Sequence, residues 1–535
     1  MIWRNNHEDE ESPRGSMGKG RTLGGRNAKQ QDNREPRREQ SEDAHERTRL
    51  LPDREQDQRL SPDDPAVTPY NIWGIRALRG FTGFLLILTA LWWLIVFINI
   101  FVTLPGMSFR GSGFFSLAYS TLSIASILVG FIFFAVPSLP MTLWTGAMAL
   151  FLFVNMMLIV CAPKIRREEG WVGITSVSVT FALSIYLFLQ TRSVKWGKRA
   201  EEERLTGREE RRRPLKEWLA VLLQVVIMVV LVVAPILLMS TLALRARDAT
   251  LKPPGERYWV QHDRFQVHLH CVGDENATTP TVLVEGGERP VENGMEQWVD
   301  HAYQSNKIDR YCTWDRPGIA WSDNAPSPFS AGMAADVLSE ALALAGEDGP
   351  YVVVSSGIGG VYSRIFASRH SAQVKGIMLI DTVSEDLLSK VAGSGRGFKI
   401  WLRGIFSPLG IDRLSGAIFK GRTRKDRVCG RCSYQSDKFL KAALQENLVA
   451  NSMTRSDLDR ADEAQDLSTP LVVIASGIET GRNKKWAKSQ EDLKRVTHNL
   501  VSWKSVKGAP HEVWEHPDGM RVLDEELTKL LKPQE

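Results

Sequence analysis

Apolar and charged positions are segregated along this chain. Between residues 111 and 163 there are 53 consecutive positions without a charge, whereas 28 of the first 65 residues are charged (13 Lys/Arg and 15 Asp/Glu). A helix needs roughly 20 apolar residues to cross a bilayer. Residues 81–104 satisfy that. The uncharged run is too long for one helix, and Pro137-Ser-Leu-Pro140 breaks it into 114–136 and 141–162. A stretch richer in Ser and Thr, 171–191, and the strongly apolar 218–244 complete five predicted spans within residues 77–245. Residues 1–68 hold too little apolar surface to offset the entropy of ordering, so they are expected to form a disordered, charged tail.

After residue 250 the pattern changes period. Short β-rich runs at 265–272, 281–284, 310–314, 351–354, 376–380, 471–475 and 500–506 alternate with helical stretches such as 332–345, 358–370 and 484–496. Several of the runs are continuously apolar, as strands covered on both faces are. Alternation of this kind predicts an α/β fold with a mainly parallel sheet, occupying 255–535.

Composition adds less than the pattern does. Hydrophobic residues make up 43% of the 535 and charged residues 24%, with a net charge of +5. These averages mix segments that sit in different solvents, so they do not argue for a nucleic-acid partner. The spans exclude a purely soluble protein and make the lipid bilayer the first partner. Met1 is followed by no apolar region, and acidic residues match basic ones there, which excludes a secretory signal or an Arg-rich transit peptide in this segment. The loop 191–216 carries ten Lys/Arg, the loop 163–170 three and the loop 105–113 only Arg110. The bias places the ten-charge loop and the tail on the cytoplasmic side, or the equivalent side of an organelle membrane, and the C-terminal domain opposite; the organelle is unread, with secretory-pathway and mitochondrial membranes both open. Asn276-Ala277-Thr278 is a glycosylation sequon consistent with that side.

Four segments of the C-terminal half belong together: Leu283-Val-Glu-Gly-Gly287, Asp315-Arg-Pro-Gly-Ile-Ala-Trp-Ser322, Val353-Val-Ser-Ser-Gly-Ile-Gly-Gly360 and Ala509-Pro-His511. In order and spacing they resemble the α/β-hydrolase superfamily over 255–535. The second is similar to its DRxGxGxS segment and the third to its G-x-S-x-G-G elbow. The whole chain also resembles fungal multi-span integral membrane proteins that carry such a domain. The resemblance implies a nucleophile in the elbow, a base at His511, and a cap at about 382–468.

The elbow departs from the pattern. Its central residue is held at a positive φ, and the residues two before and two after must be small. With Gly357 at the centre the flanks are Ser355 and Gly359; with Ser356 they would be the bulky Val354 and Ile358. Sterics therefore put a glycine at the nucleophile position, and Ser356 is the alternative nucleophile only if the turn shifts. His511 then has no hydroxyl beside it to activate. Glu479, Glu385 and Asp386 are alternative acids, while Asp381 at its strand end reads as structural. Gly286, Gly287 and the Ile358 amide are the oxyanion-like group.

The cap stretch beginning at Phe398 is apolar with scattered Lys/Arg, suited either to packing on the pocket or to a membrane interface. Cys429-Gly-Arg-Cys432 lacks the second pair a zinc site needs, so no metal or cofactor is inferred and a local disulfide is open. Cys271 and Cys312 fall on strands that the resemblance makes neighbours, a second candidate disulfide; Cys161 lies in a span. These features lead to a membrane-anchored, catalytically impaired α/β-hydrolase-like protein whose domain binds or scaffolds, with a small molecule or lipid as the pocket ligand. An active serine hydrolase on a lipid or ester is the alternative. A transporter is a further one, weakened by the scarcity of charges in the spans.

Overall fold

A computed structural model describes residues 67–207, 215–275 and 277–532. The charged tail, most of the ten-charge loop's centre and Asn276 lie outside the described residues. Five helices long and apolar enough to cross a membrane come first: α1 (Trp73–Phe101), α2 (Phe114–Ile132), α3 (Leu139–Cys161), α4 (Pro163–Thr206) and α5 (Leu215–Asp248). Helix α3 begins where the proline pair ends: Ser138 accepts the Met141 N–H as N-cap, and Pro140 sits in the first turn, where a missing N–H costs nothing. Helix α4 is longer than the apolar stretch predicts. It starts at Pro163, breaks at Gly170 (φ 60°), and carries on through charged residues to Thr206.

The rest is one eight-stranded sheet among the described residues. Its strands are β1 (Glu256–Val260), β2 (Phe265–Gly273), β3 (Thr281–Glu285), β4 (Arg310–Asp315), β5 (Tyr351–Ser356), β6 (Val374–Ile380), β7 (Leu471–Ser476) and β8 (Leu500–Val506). The order is β1-β2-β4-β3-β5-β6-β7-β8. The first two pairings are antiparallel and the others parallel. Strand β1, Glu-Arg-Tyr-Trp-Val, is the one the periodicity missed, because an edge strand tolerates the charges that hide it.

One sheet face is covered by α6 (Met295–Gln304) and the closing helix α14 (Pro517–Leu531), the other by α7 (Ala331–Ala345) and α8 (Gly359–Arg369). The cap between β6 and β7 contains α9 (Ser394–Phe406), α10 (Ile411–Phe419), α11 (Asp437–Val449) and α12 (Arg455–Ala464); α13 (Lys484–Asp492) follows β7. Cys271 pairs with Cys312 in the β2–β4 register, Cα atoms 4.0 Å apart, and the two are joined as a disulfide. Cys429 and Cys432 are not: both are free thiols, buried in the cap, which corrects the local-disulfide reading.

The globular half grips the ends of the spans. Thr103 and Ser327 exchange two hydrogen bonds, N–H to O at 2.9 Å and N–H to Oγ1 at 2.7 Å. The Ser112 hydroxyl donates to Asp437 at 2.7 Å. Buried Arg245, near the end of α5, bonds Glu168 at 2.6 Å and Glu169 at 2.8 Å, with Asp437 at 3.9 Å. Asp248 takes Arg427 at 2.6 Å and Arg413 at 3.4 Å. These charges are paired because unpaired burial would cost several kcal/mol per ion.

Candidate functional site

The elbow lies between β5 and α8, and Gly357 has φ +50°, the left-handed region that glycine enters without strain. The flanking crowding is real. A Cβ on Gly359 would collide with the Gly286 carbonyl and lie 3.0 Å from that of Glu285. A Cβ on Gly357 would meet the Glu288 carboxylate, 2.8 Å from its Cδ. The space a nucleophile's side chain would use is therefore taken by a side chain from the loop after β3.

Glu288 is held at both oxygens. Oε1 accepts the Ile358 N–H at 3.2 Å, and Oε2 faces His511 Nε2 at 3.3 Å. On its other side His511 Nδ1 meets Asp381 Oδ2 at 2.6 Å. Asp381, fully buried at the end of β6, also accepts the Ser476 N–H at 3.0 Å and the Trp486 indole N–H at 2.9 Å, so its orientation is fixed. Burial opposes charge on His511, but the bonds to Asp381 and Glu288 outweigh it and raise the imidazole to about 10. Burial pushes Glu288 upward, and its hydrogen bond and proximity to His511 more than reverse that, leaving it below its usual value. His511, raised this far by the two acids, is held as the imidazolium at neutral pH. An imidazolium has no lone pair with which to take a proton.

Asp381, which reads as structural in sequence, is thus the acid against His511. Glu479, Glu385 and Asp386 are not brought to it: Glu479 lies 3.7 Å from Arg482, Glu385 pairs with Arg455 at 3.1 Å, and Asp386 opens the short helical turn after β6. Ser356 ends β5, buried, with its Oγ directed toward Gly287. Gly286 and Gly287 offer their carbonyls to Arg316, each at 2.5 Å, and Arg316 also bonds Glu285 at 2.6 Å. Sequence reasoning missed Glu288, which carries no signal beyond following the glycine pair. Asp381 had one: it is the acid that ends an otherwise apolar run, Gly-Ile-Met-Leu-Ile-Asp.

Beside the triad, a cavity of about 190 Å³ opens under the cap, lined by Glu288, Arg316, Phe329, Tyr362, Phe439 and Lys441 among others. Lys441 is buried and donates to the Ile100 carbonyl near the end of α1, and burial lowers it to about 7.

The described residues thus form a multi-pass membrane protein with an α/β-hydrolase-like domain. Residues 46–271 match a region of unknown function (DUF2417). The chain is 32% identical over 527 residues to an uncharacterised protein of Schizosaccharomyces pombe, covering 92% of this chain and 97% of that one. It is 26% identical over 317 residues to an uncharacterised vacuolar membrane protein of Saccharomyces cerevisiae, a match spanning 50% of this chain and 49% of the relative. The chain belongs to the fungal family that these relatives represent. Among solved structures, an enol-lactonase from Burkholderia xenovorans is similar at 14% identity and TM-score 0.36, over 52% of this chain and 99% of that one. A probable hydrolytic enzyme from Pseudomonas aeruginosa is similar at 14% and 0.39, over 52% and 93%. At such identities the likeness concerns fold, not chemistry.

Proposed function

We propose that the globular half is a hydrolase-derived binding domain, silent as a serine hydrolase and held at the membrane by the five spans. One observation carries this: the Glu288 carboxylate occupies the nucleophile's space beside Gly357 and ties up both the Ile358 amide and His511. Serine hydrolysis needs a hydroxyl, a neutral imidazole and a free oxyanion donor, and all three are absent or engaged. The cavity under the cap supports binding of a small molecule or lipid.

The vacuolar relative supports a vacuolar membrane for this chain. The disulfide Cys271–Cys312 and the ten-to-one Lys/Arg contrast support a lumenal domain and a cytosolic tail. The purified full-length protein should not label with a fluorophosphonate probe. Labelling that disappears in Ser356→Ala would make the domain an active serine hydrolase instead. A C-terminal tag digested from the cytosolic face of sealed vacuoles would reject the orientation.

A further inference from the structure

We propose that the outer face of the cap, helices α9 and α10 with the groove between them, is a binding site for anionic phospholipid of the membrane that the spans cross. The proposal concerns a different surface from the elbow and does not depend on the silence of that site.

Helix α9 divides into stripes. Phe398, Leu402 and Phe406 recur every four residues on its outer face, 59%, 40% and 54% exposed. Lys399 and Arg403, also four apart, are exposed on the adjoining stripe. The opposite face, with Ile400, Trp401, Gly404 and Ile405, packs against the spans and α11. On α10, Ile411, Ile418 and Phe419 are 60%, 68% and 83% exposed, while Arg413 and Gly416 turn inward. Between the two helices runs a groove of about 280 Å³, walled by Leu402, Phe406, Ile411 and Leu440, with Arg403 and the exposed Asp412 at its sides. Arg413, which also borders it, is committed to Asp248. Lys399, Arg403 and Lys420 are exposed and take part in no ion pair among the described residues.

Six large apolar side chains exposed on two helices that wall one groove would be an unusual exposure to water. Continuity with the spans identifies what covers them. The Trp401 ring stands edge-on to Phe97 of α1 at 6.3 Å. Gly404 abuts the Phe114 ring at the start of α2, and Gly410 lies against Thr241 of α5. Phe398, whose ring lies 5.7 Å from Trp401, joins the outer stripe to the end of α1, where the apolar Leu91, Leu94 and Ile98 are exposed. An amphipathic helix with an apolar face and flanking Lys/Arg lies in the headgroup boundary of the leaflet on its own side: apolar side chains enter the acyl region, the cations reach anionic headgroups of that leaflet. The groove accepts part of an acyl chain, with Arg403 placed for the phosphate.

The test uses the full chain in a Cys161→Ala background. Phe406→Cys, Phe419→Cys and, as a control on α14, Arg521→Cys are labelled with an environment-sensitive fluorophore and reconstituted in phosphatidylcholine vesicles with and without phosphatidylserine. Labels at 406 and 419 should be quenched by brominated lipid and shielded from aqueous iodide, and the label at 521 the reverse. Iodide reaching 406 and 419 as readily as 521 would overturn the proposal. So would shielding from both quenchers, which would mean a second copy or another protein covers the face. For headgroup preference, brominated phosphatidylserine should quench 406 and 419 more than brominated phosphatidylcholine, and Lys399→Glu/Arg403→Glu/Lys420→Glu should equalise the two. Equal quenching in the unmutated cap would reject the anionic specificity.

Discussion

Glu288 Oε2 and His511 Nε2 face each other at 3.3 Å across the space into which a side chain at residue 357 would project. A serine placed at 357 would have to displace that carboxylate, the far end of a side chain that is 49% exposed. Gly357→Ser alone should therefore react only weakly with a fluorophosphonate, because its Cβ and the Glu288 carboxylate compete for one site. Removing the competitor changes the expectation: Glu288→Ala/Gly357→Ser should label, since His511 then loses one carboxylate partner and regains a hydroxyl to activate. Adding His511→Ala should abolish that labelling. Equal labelling of the single and double variants would show that Glu288 does not occupy the site.

The triad also predicts a pH dependence. His511 is raised to about 10 in the fold, against about 6.5 in an unfolded chain. Its contribution to stability is thus fully present below about pH 6.5 and fades as pH rises through about 10. Glu288, held below its usual value, contributes at pH above the unfolded carboxylate range and is lost as pH falls through its depressed value. The gap in thermal midpoint between the solubilised protein and its His511→Gln variant should be largest near pH 6 and shrink toward pH 10. A gap independent of pH across that window would mean His511 is neutral in the fold.

The parallel strands were readable because β5, β6 and β7 lie under helices on both faces, and continuous burial writes itself as runs such as Tyr-Val-Val-Val. Gly357 was readable for a local reason: the size of residues 355 and 359 depends only on the turn itself. Glu288 and Asp381 depend on tertiary approach. The first comes from a loop 69 positions before Gly357 and the second lies 130 before His511. The local pattern marks Asp381 as the acid that ends an apolar run, but which of Asp381, Glu385 and Glu479 faces His511 is decided by the fold. The same limit applies to Cys429 and Cys432, whose spacing permits a disulfide that the cap's conformation does not make.

A second acid, Glu292, should behave in the opposite sense to Glu288. Burial, with the Asp315 charge close by, raises Glu292 well above the carboxylate range. A raised carboxylate weakens the fold as pH climbs from the unfolded value toward the folded one. Glu292→Gln removes that titration at nearly constant shape. The variant should match the native protein in thermal midpoint near pH 4 and exceed it near pH 8. A lower midpoint at pH 8 would indicate that the charged form is needed, as a bound cation would require.

The Cys271–Cys312 link closes a loop across a sequence separation of 41. Chain-entropy reasoning gives such a crosslink about 4 kcal/mol, with native bridges generally contributing 2–5. Cys271→Ser/Cys312→Ser should destabilise the domain by about that much in a denaturant titration. Alkylation of the unfolded native chain without reductant should modify Cys161, Cys429 and Cys432 and spare the pair. Modification of all five would show that the protein resides where thiols stay reduced.

Arg245 is the sharpest test of how membrane and globular halves are joined. Its guanidinium bonds Glu168 and Glu169, with Asp437 of the cap 3.9 Å away, and all four side chains are buried. Removing one partner of a buried ionic group leaves the others uncompensated and typically costs about 3–5 kcal/mol. Arg245→Met should therefore lower the thermal midpoint and expose the segment joining α5 to β1 to limited proteolysis. The packing lost with the long side chain is small beside the stranded charge, so neutralising the stranded acid should rescue the variant. Arg245→Met/Glu169→Gln is expected to recover most of the stability, because it replaces both members of one buried ion pair by neutral groups, often close to neutral, while Glu168 keeps Lys438 at 3.7 Å. No rescue would mean that Arg245 holds the junction through shape alone and that Glu169 is not its charge partner.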